Sequence, residues 1–477
     1  MWWLIIPAAL LLFVAVLVIR ACAFKPKAQP EADAEEVIFD KERAAAALCE
    51  LVKCKTVSYR DSSLEDDAEF EKLIALLPSL YPSVNKTCEF TRLPDRGLLF
   101  RWRGKSDAAP AVMMAHYDVV PVNEDLWDTP AFEGIIKDGF IIGRGTLDTK
   151  VTFSGILFAA NHLISEGCVP ENDIYFAVSG GEEVNGRGAV RIVDWFEEKG
   201  IEPALVIDEG GAVVENVFPG VKAPCGLIGI AEKGMMDVKY TVKSQGGHAS
   251  APKPGAPIDR LASACRRMVE NPFKLKLTAP AAEMFDTLGR YSSFVYKIIF
   301  SNIKLFLPVL DMICKKGGGE MNALMRTTVA FTQAQGSSAT NVIPPEASLV
   351  SNIRLNPADD MESALEYIKN TVGDEHVEVI CMHGMNPSRI SRTDCEGFDR
   401  VASAVASTWK GCIVAPYLMV QCSDSRHWGR ISDRVYRFSA MDLTSEERAS
   451  IHGTNEKIRI DALGRTVEFY IRLMKKC

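Results

Sequence analysis

Four short apolar runs, each closing on an acidic or imidazole side chain, constrain this chain more than any other feature. Residues 111–115 lead into His116-Tyr-Asp118, and 140–142 into Gly143-Arg-Gly-Thr-Leu-Asp148. Residues 174–178 lead into Gly180-Gly-Glu182-Glu183, and 204–207 into Asp208-Glu209. Helix-like stretches at 44–52, 153–164 and 189–199 separate them. Continuous apolar strands alternating with helices imply a mostly parallel sheet covered on both faces. The expected fold is therefore α/β, with a doubly wound catalytic domain. In such sheets ligands sit beyond the carboxyl ends of the strands, where these four endings fall.

The texture changes near Met235. Residues 237–243 alternate polar and apolar with period two, as do 327–332 and 348–355, with helix-like 258–269 and 361–370 between them. That pattern marks a sheet with one wet face. An α+β lid domain over 235–383, inserted into a catalytic domain of 40–234 and 384–477, accounts for it. A helical insert at 271–320 lies within it, unusually apolar from 293 to 314. Its 294–300 and 305–307 stretches suit a pocket for a greasy acyl group, but the blander reading is preferred, that they cap the lid or lie near a bilayer. A helix near 398–408, strands near 413–420 and 435–438, and a last helix at 462–475 complete the catalytic part.

Residues 2–19 form an 18-residue run without a charge. It is near the lower limit for a membrane-spanning helix. Trp2 and Trp3 suit one interface, and Arg20, Lys25 and Lys27 the other. A cleaved signal peptide is the competing reading, but no basic residue precedes the run. We expect a transmembrane anchor over 1–24, a polar linker over 25–39, and the large C-terminal part on the cytoplasmic side by the positive-inside bias. Thirteen cysteines, none in a C-x2-C pair, fit a reducing compartment. A net charge of −8 gives no basic footprint for nucleic acid.

Each ending is a weak signal alone, since His-x-Asp is common and paired glutamates are usually solvated. Together they are not. So many acids at one sheet edge repel one another without a cation. Two divalent ions sharing one carboxylate resolve the repulsion and form the clamp that hydrolases use. Among seven histidines, His116 is the strongest ligand candidate. His452 precedes Gly453 in a loop aimed at a site, and His248 sits on a glycine turn of the inserted domain. His427 is ambiguous, while His162, His376 and His383 read as structural.

These residues together resemble the M20 family of metallopeptidases and aminoacylases, over about 40–477. The apolar N-terminal segment and the 271–320 insert are most similar to its carboxypeptidase S branch. That branch includes Gly-X carboxypeptidases and enzymes that hydrolyse or form N-fatty-acyl amino acids. The resemblance implies two zinc ions, with cobalt or manganese as substitutes, bridged by Asp148. It implies His116 and Asp208 on one ion, Glu183 and His452 on the other, Glu182 as general base, and Asp118 orienting the His116 ring. It also implies that His248 reaches the scissile carbonyl, in many relatives across a homodimer formed by the lid. Asn341 and Arg354, with Arg426 as a second candidate, would hold substrate; a guanidinium grips a carboxylate bidentately.

The expected activity is hydrolysis of the amide next to a C-terminal amino acid, in short peptides. N-acyl-amino acid hydrolysis or synthesis is the alternative, and a membrane-tethered binding protein without catalysis a remote third. No G-x-S-x-G elbow is present for a serine hydrolase, and Asp148 falls where a dinucleotide motif needs its last glycine.

Overall fold

The computed structural model describes residues 5–216 and 218–477. Trp2 and Trp3 lie outside them. Eight strands form the main sheet, in the order Glu89–Leu93, Gly97–Trp102, Asn172–Ser179, Ser106–His116, Leu205–Val214, Val435–Asp442, Cys225–Glu232 and Ile413–Met419. The four strands from Asn172–Ser179 to Val435–Asp442 run parallel, as does the outer pair Cys225–Glu232 with Ile413–Met419. Antiparallel pairing joins the first hairpin to this core. Helices Lys41–Val52, Lys150–Ser165, Glu396–Thr408 and Ile460–Met474 pack into the core on one face. Helix Gly188–Glu198 and Trp428 close the other, so both faces are covered as the apolar runs require.

The run 140–142 is an exception. Its strand Phe140–Ile142 is not in the main sheet; it pairs with Ile135–Lys137 and Lys457–Arg459 in a separate antiparallel ribbon. The ribbon brings the turn carrying Asp148 beside the loop carrying His452.

The period-two segments build a second sheet, fully antiparallel, in the order Thr328–Gln335, Glu346–Leu355, Gly234–Lys243, Glu378–Met385. Helices Pro257–Glu270 and Met361–Val372 cover its dry face around Met236, Val238 and Tyr240. A two-stranded tip, Gly247–His248 with Val342–Ile343, projects from it.

The 271–320 insert behaves differently from an ornament of this lid. It forms helices Ala279–Gly289, Phe294–Ser301, Ile303–Gly317 and, running past it, Gly319–Met325. Met284, Phe285, Leu288, Phe300 and Cys314 pack with Ile413, Ala415 and Tyr417 of the outer main-sheet strand. The apolar stretch 293–314 is two helices, broken at Asn302.

The apolar N-terminal run is a helix, Ile5–Ala23, with mean hydropathy 2.7, long and apolar enough for an anchor or a signal sequence. All thirteen cysteines are free thiols.

Candidate metal centre

Each ligand-type side chain enters the site from an element whose local structure explains its aim. His116 ends the central parallel strand Ser106–His116 and is buried. Its Nδ1 faces the Asp118 main-chain oxygen at 3.0 Å and the Asp118 carboxylate at 3.4 Å. That partner fixes the ring and leaves Nε2 pointing into the site. Asp118 does more than orient the imidazole. Its two carboxylate oxygens accept the main-chain N–H groups of Glu182 and Glu183 at 3.1 and 3.2 Å, pinning the turn Glu182–Val184 that follows Asn172–Ser179.

Asp148 stands at the centre. One carboxylate oxygen accepts from His116 Nε2 at 3.0 Å, and the other from His452 Nε2 at 3.0 Å. His452 Nε2 also lies 3.1 Å from Glu183. His452 has a left-handed φ of 61°, a conformation that the tight turn ahead of Gly453 imposes. Arg144 donates to the main-chain oxygens of His452 and Gly453 at 3.3 and 2.9 Å. It also pairs with the buried Glu456 carboxylate at 2.6 Å, and Glu456 accepts from the Leu147 N–H at 2.6 Å. This buried tie holds the His452 loop against the Asp148 turn.

Ligand-type atoms of His116, Asp148 and Glu183 lie within 4.8 Å of one another, and so do those of His116, Glu182 and Glu209. Asp208, expected as a ligand of the first ion, is in neither group. Its carboxylate turns behind the site and accepts from the Ser425 N–H at 2.9 Å. Glu209 reaches in instead, 3.6 Å from His116 Nε2. The cause is a bulge. Arg437 pairs with Asp208 and Phe438 with Gly211, so Glu209 and Gly210 are extra residues on their strand. A bulge re-aims the side chain it carries. Gly210, at φ 144°, and Gly211, where a Cβ would meet the Leu227 carbonyl oxygen at 1.8 Å, both require glycine. The Gly-Gly pair after the two acids was the available sequence signal.

Behind this layer, Asp424 accepts from the Ser179 hydroxyl, and Glu232 is held by Ser423, Ser425 and Arg437. Among the described residues, none of these contacts involves the lid. There, His248 is exposed, its Nδ1 taken by Ser250, and Asn341 accepts the Ala249 N–H through its main-chain oxygen. Arg354 contacts Asn352 and Cys422, and Arg426 donates to the Asn386 carbonyl. Among the described residues, none of these four bonds to the carboxylate cluster.

The electrostatics fit a cation. Burial, with Glu209, Asp424 and Glu183 nearby, pushes the Glu182 carboxyl well above its usual range, only partly offset by His116. Burial, with the Asp148 charge, pushes Glu183 up to about 7. Burial works against a charged His116, but Glu209, Asp118 and Asp148 outweigh it and raise its pKa. Hydrogen bonds to Asp148 and Glu183 raise His452 to about 10. Glu183 Oε1 is buried without a hydrogen-bond partner. Carboxylate and imidazole donors, one carboxylate presenting a separate oxygen to each histidine, suit two zinc-type ions.

A pH dependence follows. Glu183, raised from 4.5, favours the metal-free fold at low pH and loses that contribution as pH rises through about 7. His452, raised from 6.5, acts in the same direction up to about 10. Metal ligation needs both groups deprotonated. The Tm gap between metal-loaded and chelator-treated protein should therefore widen as pH rises from about 5 to about 8, by scanning calorimetry. A gap independent of pH would contradict this donor set.

Comparisons with known proteins identify the fold and the family. Over 98% of its length, the chain is 33% identical to the Xenopus tropicalis N-fatty-acyl-amino acid synthase/hydrolase PM20D1, covering 93% of that protein. It is 32% identical to a probable carboxypeptidase S-like 2 of Dictyostelium discoideum, over 90% of this chain and 84% of that one. The fold is that of an M20 family metallo-carboxypeptidase from Sulfolobus solfataricus, with a TM-score of 0.66 at 17% identity, covering 92% of this chain and 99% of that one. Residues 112–476 match the family described as Peptidase family M20/M25/M40, and the chain, so matched and with a paired cluster at its sheet edge, belongs to that family.

Proposed function

We propose that the chain is a two-zinc hydrolase of the amide bond next to a C-terminal amino acid. The observation that carries this is the Asp148 carboxylate, shared between His116 and His452, with Glu182 alongside. His116, Asp148 and Glu209 would hold one ion, and Asp148, Glu183 and His452 the other. Bound there, the ions supply Lewis-acid polarisation of a carbonyl and acidification of water. Glu182 takes the proton of the attacking water and returns it to the leaving amine. Burial and the neighbouring acids raise its carboxyl above the usual range, which favours holding that proton. Asp118 keeps Glu182 in place through its main-chain N–H.

Arg354 has no carboxylate partner among the described residues, which suits it to a substrate's free carboxylate. One guanidinium nitrogen of Arg426 is buried without an acceptor, 3.9 Å from Glu232, which suits the same role less directly. His248 and Asn341 sit together at the lid tip, in reach of substrate after closure or from the partner of a homodimer. The outer lid strand Thr328–Gln335 leaves its last residues exposed for such pairing. The helix Ile5–Ala23 serves as a membrane anchor, with the catalytic part on the cytoplasmic side.

Glu209→Gln is expected to lower bound zinc below two ions per chain and kcat by about 10²-fold or more. Asp208→Asn should keep both ions, as measured by metal analysis of dialysed protein. The reverse ranking would restore Asp208 as the ligand. The reading as a whole is tested by a panel of dipeptides and N-acyl amino acids with and without chelator. Chelator-sensitive release of a C-terminal amino acid is expected; hydrolysis indifferent to chelator would end it. N-acyl-amino acid hydrolysis or synthesis is the second reading, favoured by the similarity to the Xenopus tropicalis enzyme along nearly the whole chain.

A further inference from the structure

The helix Ile303–Gly317 is apolar on two sides. Ile303, Leu307, Leu310 and Cys314 face inward, onto the apolar cluster that holds Met284, Phe285 and Phe300. Leu305, Val309, Met312 and Ile313, spaced i, i+4, i+7 and i+8, form an exposed stripe on the opposite side. Phe294 and Val295, at the start of the neighbouring helix, are exposed as well. A surface helix of a water-soluble domain carries one apolar face; the second needs a cover.

Two observations say what covers it. The apolar helix Ile5–Ala23 meets the body only at its C-terminal end, where Leu17 and Val18 are half-buried and Ala21 and Phe24 buried. It does so against helices Ala279–Gly289 and Phe294–Ser301 of the same insert and the residues that end them. Asn302 donates to the Leu17 carbonyl at 3.5 Å, the Arg290 guanidinium lies 4.4 Å from the Phe24 ring, and Lys27 pairs with Asp286 at 2.6 Å. The remaining 5–16 of that helix is bare. The body is thus fastened where a span of about 28 Å would leave the hydrocarbon layer. Charge is the second observation. Lys297, Lys304, Lys315 and Lys316 border the stripe, and Asp311 is the one acid among residues 293–317, in a chain of net charge −8. A basic rim round an apolar stripe matches an anionic lipid surface, and two copies of it would repel each other.

We propose that helices Phe294–Ser301 and Ile303–Gly317 lie in the interfacial layer of a lipid bilayer, seating the catalytic body flat on the membrane beside the N-terminal span. The inference rests on the anchor reading and goes beyond it, because a tether alone leaves the insert in water.

The test uses the full chain with Val309→Trp, and Met312→Trp should the first variant fold poorly. Each is reconstituted into vesicles of phosphatidylcholine with a minor share of phosphatidylserine, with and without bromine near the glycerol end of the acyl chains. Spectra are corrected with the unsubstituted chain. Glu270→Trp, at the exposed end of the lid helix Pro257–Glu270, is the control. The new tryptophan at 309 should emit further to the blue and lose intensity in brominated vesicles, while the control does neither. Vesicles that float with the chain but leave the new tryptophan unquenched overturn the inference and spare the anchor. A blue-shifted but unquenched signal means contact with a second copy and overturns it too. A chain that does not float overturns both.

Discussion

Replacing Glu182 by glutamine is expected to leave the fold and the bound ions in place and to lower kcat by about 10²–10⁴-fold, the usual contribution of a positioned proton acceptor. Glutamine preserves volume, and the main-chain N–H of residue 182 still meets the Asp118 carboxylate. The proposed ligands His116, Asp148, Glu209, Glu183 and His452 are untouched. What disappears is a carboxylate that can hold the proton of water and hand it to the departing nitrogen. Metal analysis beside kcat and KM separates the cases. Full turnover in the metal-replete variant removes the base role, whereas loss of zinc together with activity makes Glu182 a ligand.

Asp148→Asn should be at least as damaging, for a different reason. A single side chain here satisfies two imidazoles from opposite ends of the polypeptide. Its carboxyl is held below the usual range: burial would raise it, but the His116 and His452 bonds prevail. An amide presents one oxygen and no charge, so the two ions lose their shared partner. Zinc content should fall from two ions per chain and kcat by about 10²–10³-fold or more. In the metal-free variant the His452 pKa, raised to about 10 by Asp148 and Glu183 together, should fall by the Asp148 share in an NMR titration. A variant holding both ions with an unchanged His452 titration would show that Asp148 is not the bridge.

How far the site could be read from the residues depends on local regularity. His116 and Glu182-Glu183 follow apolar runs that are regular strands, so an extended-chain reading carries them to the right edge. At Asp208-Glu209 the residues alone do not say which acid faces the cluster, because the strand is irregular there and the bulge at Glu209-Gly210 re-aims them. The run at 140–142 misled because three residues cannot reveal which sheet they join; their partner, Lys457–Arg459, is more than 300 positions away. The Arg144–Glu456 tie was equally invisible, with its partners 312 residues apart. In the insert, no glycine marks the break at Asn302, and Pro308, a residue type that commonly breaks helices, lies inside the following helix. The lid sheet was easier, since one wet face writes its alternation directly into the residues.

That tie has a consequence for biogenesis. The two halves of the cup lie 312 residues apart along the chain, and the lid is made between them. The Asp148 turn therefore has no His452 loop to close on until residues beyond the lid have been made. That loop is the latch: ordering of the cup waits on residues 452–456, which come after the lid.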